Sequence, residues 1–456
     1  MTLYMNLMTN NFICFVFVAF FAALLPGMLY AQDSCNPDYE LIFNLRPPVE
    51  GSYNIWDAVY GAQDRQELFL SGLVLESANT LVVGERFTAA EGPRELVLAE
   101  FDRRGRVVKE QAQPVKDLQQ VLKILSIPGG YVVVANRAEK ARRSIWIGFF
   151  NAEWKLIGEQ AMRGAQGDLT AQDMIFNRDG KGFVLAALAE KESAASIGHA
   201  VIYRLDQKGR VIASRAYMPG VENSVLGLDP QGKDRYIATG SIAGEDGRKT
   251  GWVMMLDREM NIVWQRQYPR GRSAMLNVAQ DFQSNYMVVA GDAAPVGEGD
   301  TSGWVMMIDN TTGEIGWQRY FTGASVYHLH DMMVRSGGVI SVMLQAQSST
   351  IFSKDEKTDE QKARENYVRL LTLDPRGGIL ASDEYFSGEG AFAWQMIEGQ
   401  LGERILIGGS KMVYRIEGKP GEEPVIKRSQ DGWLAAATEP EPYEDPCVSG
   451  SSAYQP

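Results

Sequence analysis

The chain has 456 residues and a formal net charge of −12, from 45 Lys and Arg against 57 Asp and Glu. An acidic surface repels phosphate backbones and anionic headgroups, which excludes nucleic acid and a basic lipid-binding patch. By length alone the chain would hold two or three domains, a count that repeat architectures evade.

Residues 1–31 contain no Asp, Glu, Lys or Arg, and residues 12–25 are an apolar run broken by Pro26-Gly27. As a helix that run rises about 21 Å, too short for a hydrocarbon core of about 30 Å. With Ala31 before Gln32, residues 1–31 read as a signal peptide cut at Gln32, although no Lys or Arg precedes the run. Retention as an anchor is the alternative. Gln32-Asp33-Ser34 lacks the pattern of a lipid-modified cysteine, so no stable membrane insertion is expected after cleavage. The mature chain keeps Cys35 and Cys447, one near each end, and an oxidising compartment predicts that they pair.

Residues 32–65 form an N-terminal segment. Within it Asn54-Ile55-Trp56-Asp57-Ala58-Val59-Tyr60-Gly61 echoes Ile262-Val263-Trp264-Gln265-Arg266-Gln267-Tyr268. It reads as an orphan outer strand that closes a ring.

Residues 66–436 are repetitive. Gly251-Trp252-Val253-Met254-Met255-Leu256-Asp257 returns 52 residues later as Gly303-Trp304-Val305-Met306-Met307-Ile308-Asp309. Each copy runs on to Trp-Gln-Arg, at Trp264 and Trp317. Weaker copies place an acidic or amide residue and a turn at Asp102, Asn151, Asp206, Asp257, Asp309, Asp374 and Glu417, in steps of 43 to 65 residues. Asp ahead of Gly is turn chemistry, so these carboxylates are hairpin caps rather than catalysts. Apolar runs such as Tyr286-Met287-Val288-Val289-Ala290-Gly291 precede each hairpin and suit strands buried on both faces. Four strands every fifty or so residues predict a β-propeller of about seven four-stranded antiparallel blades, six and eight being the alternatives.

Asp309-Asn310-Thr311-Thr312-Gly313-Glu314-Ile315-Gly316-Trp317 resembles the tryptophan-docking repeat of quinoprotein-like, PQQ-type β-propellers. Asp257 to Trp264 is one residue shorter, and other copies lack the Trp. The resemblance implies that Trp264 and Trp317 pack between blades. Enzymes of that family typically carry adjacent cysteines, which this chain lacks, so the resemblance extends to fold and not to a quinone cofactor.

The marker turns are tight, whereas residues 243–250, 292–302 and 345–366 read as long loops on the opposite face. Recognition concentrates on such loops, which assigns a binding face to the side of Asp292, Glu298 and Asp300. Residues 291–300 offer carboxylates for a calcium ion but lack the spacing of a known calcium loop, so no cofactor is expected. His328 and His330 flank Leu329, and Asp331 follows. Two residues apart on a strand, the imidazoles would share a face, about 6–7 Å apart, toward a central channel. Two satisfied polar residues on the channel wall are the plainer reading. No Gly-x-Ser-x-Gly elbow or Cys-x-x-Cys pair occurs. Residues 437–456 form an acidic, Pro-rich tail.

These features predict a periplasmic or secreted, monomeric, non-catalytic scaffold that presents a loop-rich face to a protein or cell-envelope polymer. The alternative is a quinoprotein-like, lyase or hydrolase enzyme with its site at the channel mouth.

Overall fold

The structure, a computed structural model, describes residues 37–46, 54–62, 65–88, 93–139, 142–165, 167–177, 180–191, 197–232, 234–282, 285–294, 301–323, 325–348, 366–416 and 425–437. Glu40–Glu441 is one compact unit; of a second unit, Met1–Tyr39 with Pro442–Pro456, only residues 37–39 are described. Cys14, Cys35, Cys447, Glu298 and Asp300 lie outside the described residues, as do the predicted cleavage site and most of the acidic tail.

The described chain is almost wholly β. Two strands come first, β1 (Glu40–Leu45) and β2 (Trp56–Tyr60). The first four-stranded run is β3 (Gln66–Val74), β4 (Thr80–Phe87), β5 (Arg94–Phe101) and β6 (Val107–Pro114). The second is β7 (Leu118–Ile127), β8 (Gly130–Glu139), β9 (Arg142–Asn151) and β10 (Leu156–Arg163). The third is β11 (Gly167–Phe176), β12 (Phe183–Lys191), β13 (Gly198–Leu205) and β14 (Val211–Tyr217). Then follow β15 (Glu222–Gln231), β16 (Arg235–Ala243), β17 (Lys249–Asp257), β18 (Ile262–Tyr268), β19 (Ser273–Asp281), β20 (Tyr286–Ala294), β21 (Ser302–Asp309) and β22 (Ile315–Gly323). The chain continues through β23 (Ser325–Val334), β24 (Ile340–Ser348), β25 (Asn366–Leu373) and β26 (Ile379–Tyr385). It ends in β27 (Ala391–Glu398), β28 (Arg404–Ile416) and β29 (Val425–Ala437). Among the described residues no helix is long and apolar enough to cross a membrane.

These strands make an all-β propeller of four-stranded antiparallel blades, but the expected count of seven separate blades is corrected. Five sheets are separate and four-stranded. The sixth has nine strands, because two successive runs, β15–β18 and β19–β22, are fused. The short link 269–272 holds Ser273 of β19 against Lys249 of β17 in a parallel bridge, and that one pairing merges them. The ninth strand, β1, runs parallel to β22 from Glu40↔Gln318 to Leu45↔Gly323. The last sheet takes its outer strand from the N-terminal end: β2 pairs antiparallel with β29, Trp56 opposite Ala436.

Burial follows from stacking. Middle strands such as β16 and β17 are almost continuously buried, whereas the outer strand β18 is mostly exposed. Each neighbouring pair of runs shares an apolar cluster. Val225, Tyr236 and Trp252 meet Ile175, Val184 and Ile202 in one of them. The circuit closes where Phe69, Val82 and Phe101 of the first sheet meet Ile405, Ile407 and Leu434 of the last.

The hairpin carboxylates cap their turns. Asp206 Oδ1 accepts from the backbone N–H of Lys208 (2.8 Å) and Arg210 (2.9 Å), and Asp309 Oδ1 from Thr311 (2.8 Å) and Thr312 (2.7 Å). The two repeat tryptophans reach into the next run. Trp264 Nε1 donates to Asn310 O at 3.0 Å, and Trp317 Nε1 to Pro375 O at 3.3 Å. Gly377, at φ +78°, would put a Cβ 3.0 Å from the Trp317 ring, so the turn that receives the indole admits only glycine there.

Candidate functional site

The innermost strands build the channel, and every one of them is bulged. The register shifts between Phe69 and Ser71, Val121 and Lys123, Ala171 and Asp173, and Val225 and Gly227. It shifts again between Leu276 and Val278, Leu329 and Asp331, and Ala393 and Gln395. A bulge adds one residue and re-aims its side chain. The added residues Leu70, Leu122, Gln172, Leu226, Asn277, His330 and Trp394 all line one cavity of about 460 Å³. The bulges press backbone on backbone: a Cβ on Gly291 would lie 2.0 Å from Met275 O.

At four of the seven bulges the residue that follows accepts a backbone N–H from the next run and so ties one sheet to the next. Ser71 Oγ accepts from Ile124 N at 3.2 Å, Asp173 Oδ2 from Leu228 N at 2.8 Å, Asp331 Oδ2 from Met396 N at 2.8 Å, and Gln395 Oε1 from Gly72 N at 2.7 Å. The second oxygens are used as well. Asp173 Oδ1 takes Lys123 Nζ at 2.6 Å and its neighbour Met174 N at 2.8 Å, and Asp331 Oδ1 takes Met332 N at 2.8 Å.

A second layer of ties starts from the strand behind. Glu85 Oε1 accepts from Val121 N at 2.6 Å while its other oxygen pairs with Arg94. Asn136 exchanges two hydrogen bonds with Ala171, at 2.8 and 3.2 Å. Asp292 Oδ1 accepts from Leu329 N at 2.7 Å, and Asp292 Oδ2 pairs with His328 Nδ1 at 2.8 Å.

The sequence-derived site residues therefore separate. Asp292 is not in a loop but inside β20, because its carboxylate is the tie to β23; Gln345 likewise lies in β24 and bonds across to Ala391 O at 3.0 Å. Each Asp292 oxygen accepts one contact, from Leu329 N or His328 Nδ1. His328 and His330 have different partners. His328 pairs with Asp292, whose hydrogen bond raises the imidazole pKa, and the bulged His330 lies on the cavity wall against Trp394, ring centroids 5.2 Å apart. Burial pushes His330 down to about 4, so it is neutral at pH 7. Burial pushes Asp331 up to about 6, against the opposing pull of the Met396 and Met332 N–H groups. Among the described residues no group of three or more His, Cys, Asp or Glu side chains is placed to hold a metal ion.

Sequence reasoning missed Trp394, which is 40% exposed although it sits on the innermost strand of its sheet. It also missed the ties Glu85, Asn136 and Asp173. Aligning the seven innermost strands on the residue after the bulge would have set Ser71, Asp173, Asp331 and Gln395 in one column.

A second cavity of about 650 Å³ adjoins the channel and shares Leu70 and Trp394 with it. Its wall adds Arg94 with Glu85, Asp117, Gln119 and Gln120.

No known family's sequence profile matches the chain, and no curated protein does. Solved structures match in fold. They include the β-propeller domain of the Trilobed protease from Pyrococcus furiosus, at 10% identity, covering 84% of this chain and 94% of that one, TM-score 0.41. The Neurospora crassa Pan2 WD40 domain matches at 11% identity, covering 85% and 96%, TM-score 0.43. A PQQ-bound aldose sugar dehydrogenase from Streptomyces coelicolor matches at 15% identity, covering 72% and 98%, TM-score 0.38. The likeness is of fold only.

Proposed function

We propose that the chain is an exported, non-catalytic β-propeller scaffold, monomeric and without a resident cofactor, that binds a protein or cell-envelope polymer at the face where the channel opens. One observation carries this reading: the carboxylates at the channel are spent on the architecture. Asp173, Asp331, Asp292 and Glu85 each accept a backbone N–H from a neighbouring run, and their remaining oxygens are also engaged. A carboxylate fixed in this way is held in one orientation toward the neighbouring sheet rather than toward a substrate in the cavity, which favours a structural role over that of a general base. A second reading, an enzyme at the channel mouth, draws on the adjacent pair His330 and Asp331, whose pKa values are both displaced.

The test immobilises the purified mature chain and passes envelope extract over it, beside a His330→Gln variant. Capture of one chemically unaltered partner by both proteins is the expected result. A partner released in altered form, with alteration lost in His330→Gln, would replace the scaffold by the enzyme.

A further inference from the structure

We propose that the cavity of about 650 Å³ at the channel mouth is a neutral saccharide site with Trp394 as its stacking floor. The proposal rests on the binding reading above and names its ligand class. Six tryptophans, Trp146, Trp154, Trp252, Trp304, Trp317 and Trp433, are fully buried, whereas Trp394 is 40% exposed. It is held from beneath. His330 packs on its ring at 5.2 Å, and Gln395 beside it fixes the strand through Gly72 N at 2.7 Å. The indole meets the imidazole at a tilt of 54°, borders both cavities and keeps part of its surface open to a ligand.

The surrounding chemistry selects the ligand. Charges on the wall pair off locally: Glu85 with Arg94, and Asp117 with Lys116 at 4.0 Å. A strongly ionic ligand finds no uncompensated partner there. Gln119 and Gln120 are exposed amides, each offering both donors and an acceptor. A purely apolar ligand would leave them unpaired on binding. A quaternary ammonium ion calls for a cage of aromatic faces, and among the described residues Trp394 is the single aromatic residue lining this cavity. A pyranose fits both halves of the wall, its C–H face on the indole and its hydroxyls on the amides. The volume falls within the usual range of about 300–1,000 Å³ for small-ligand sites.

Isothermal titration calorimetry of the full mature chain tests this with cellotriose, maltotriose and triacetylchitotriose, and with tetramethylammonium chloride as the cationic control. At least one trisaccharide should bind saturably. Trp394→Ala should weaken it at least about tenfold, about 1.4 kcal/mol, and Trp394→Tyr, which keeps an aromatic face, only a few-fold. Equal thermal melting of the three proteins separates binding from folding. Binding of no trisaccharide, equal binding by Trp394→Ala, or binding of the ammonium ion alone overturns the proposal. If trisaccharides fail while the envelope partner is still captured by Trp394→Ala, the scaffold reading stands without the saccharide site. If a trisaccharide binds through Trp394 and is cleaved, the site stands and the non-catalytic reading falls.

Discussion

Asp331→Ala separates an architectural carboxylate from a chemical one. In the folded chain Asp331 titrates at about 6 rather than 3.8, because burial outweighs its two backbone N–H partners. A carboxyl whose folded pKa lies above its unfolded one adds stability that is complete below pH 3.8 and is lost as pH rises through about 6. At roughly 1.4 kcal/mol per pKa unit the full swing is about 3 kcal/mol, of which about 2 falls between pH 4.5 and 7.5. Alanine abolishes that swing. It also strips an acceptor from Met332 N and Met396 N, at about 1–3 kcal/mol for each donor left buried and unpaired. Urea unfolding followed by tryptophan fluorescence at both pH values gives the cost of the substitution. That cost should be about 2 kcal/mol larger at pH 4.5 than at pH 7.5. The contribution of His330 has the opposite sign: its folded pKa of about 4 means stability is lost as pH falls below 6.5, but it is present in both proteins and cancels. A cost that is independent of pH, or larger at pH 7.5, would refute the view of Asp331 as a desolvated tie between sheets.

Three other outcomes are expected. Trp317→Ala removes a fully buried indole and should lower stability by about 3–5 kcal/mol, with Trp264→Ala, which is only partly buried, costing clearly less in the same urea experiment. Gly291→Ala forces a Cβ against Met275 O and should cost about 1–3 kcal/mol; a melting temperature equal to wild type would show that the bulge opposite Gly291 yields freely. The exported chain should begin at Gln32 by N-terminal sequencing and show no alkylation at Cys35 or Cys447 without reductant; two alkylated thiols would remove the predicted bridge.

The repeat, the hairpins and the ring-closing strand were legible because each is a local pattern of residue types. Asp before Gly writes a turn, an unbroken apolar run writes a strand covered on both faces, and Trp264 and Trp317 share a spacing to their turns. The fused nine-stranded sheet was not legible, since it hangs on one bridge, Lys249 to Ser273, that no residue type announces. Nor was β1, a strand that pairs with β22 across more than 270 residues and carries no repeat signature.

The ties between sheets escaped sequence reading for one geometric reason. Period-two reasoning assumes an unbroken strand, and all seven innermost strands are broken at the wall that matters. One inserted residue reverses every side chain beyond it. His328 and His330 both precede the reversal and keep one half-buried phase; His328 bonds Asp292, and His330 lies on the cavity wall beside Trp394. The same insertion turns Asp331 sideways into the next sheet, where Met396 N meets it. The inserted residues Leu70, Leu122, Gln172, Leu226, Asn277, His330 and Trp394 carry no formal charge with His330 neutral, while Lys123, Asp173, Asp229 and Asp331 line the same cavity. Two of those four, Asp173 and Asp331, serve at the same time as ties between neighbouring runs, so each of these carboxylates borders the hollow and holds the ring.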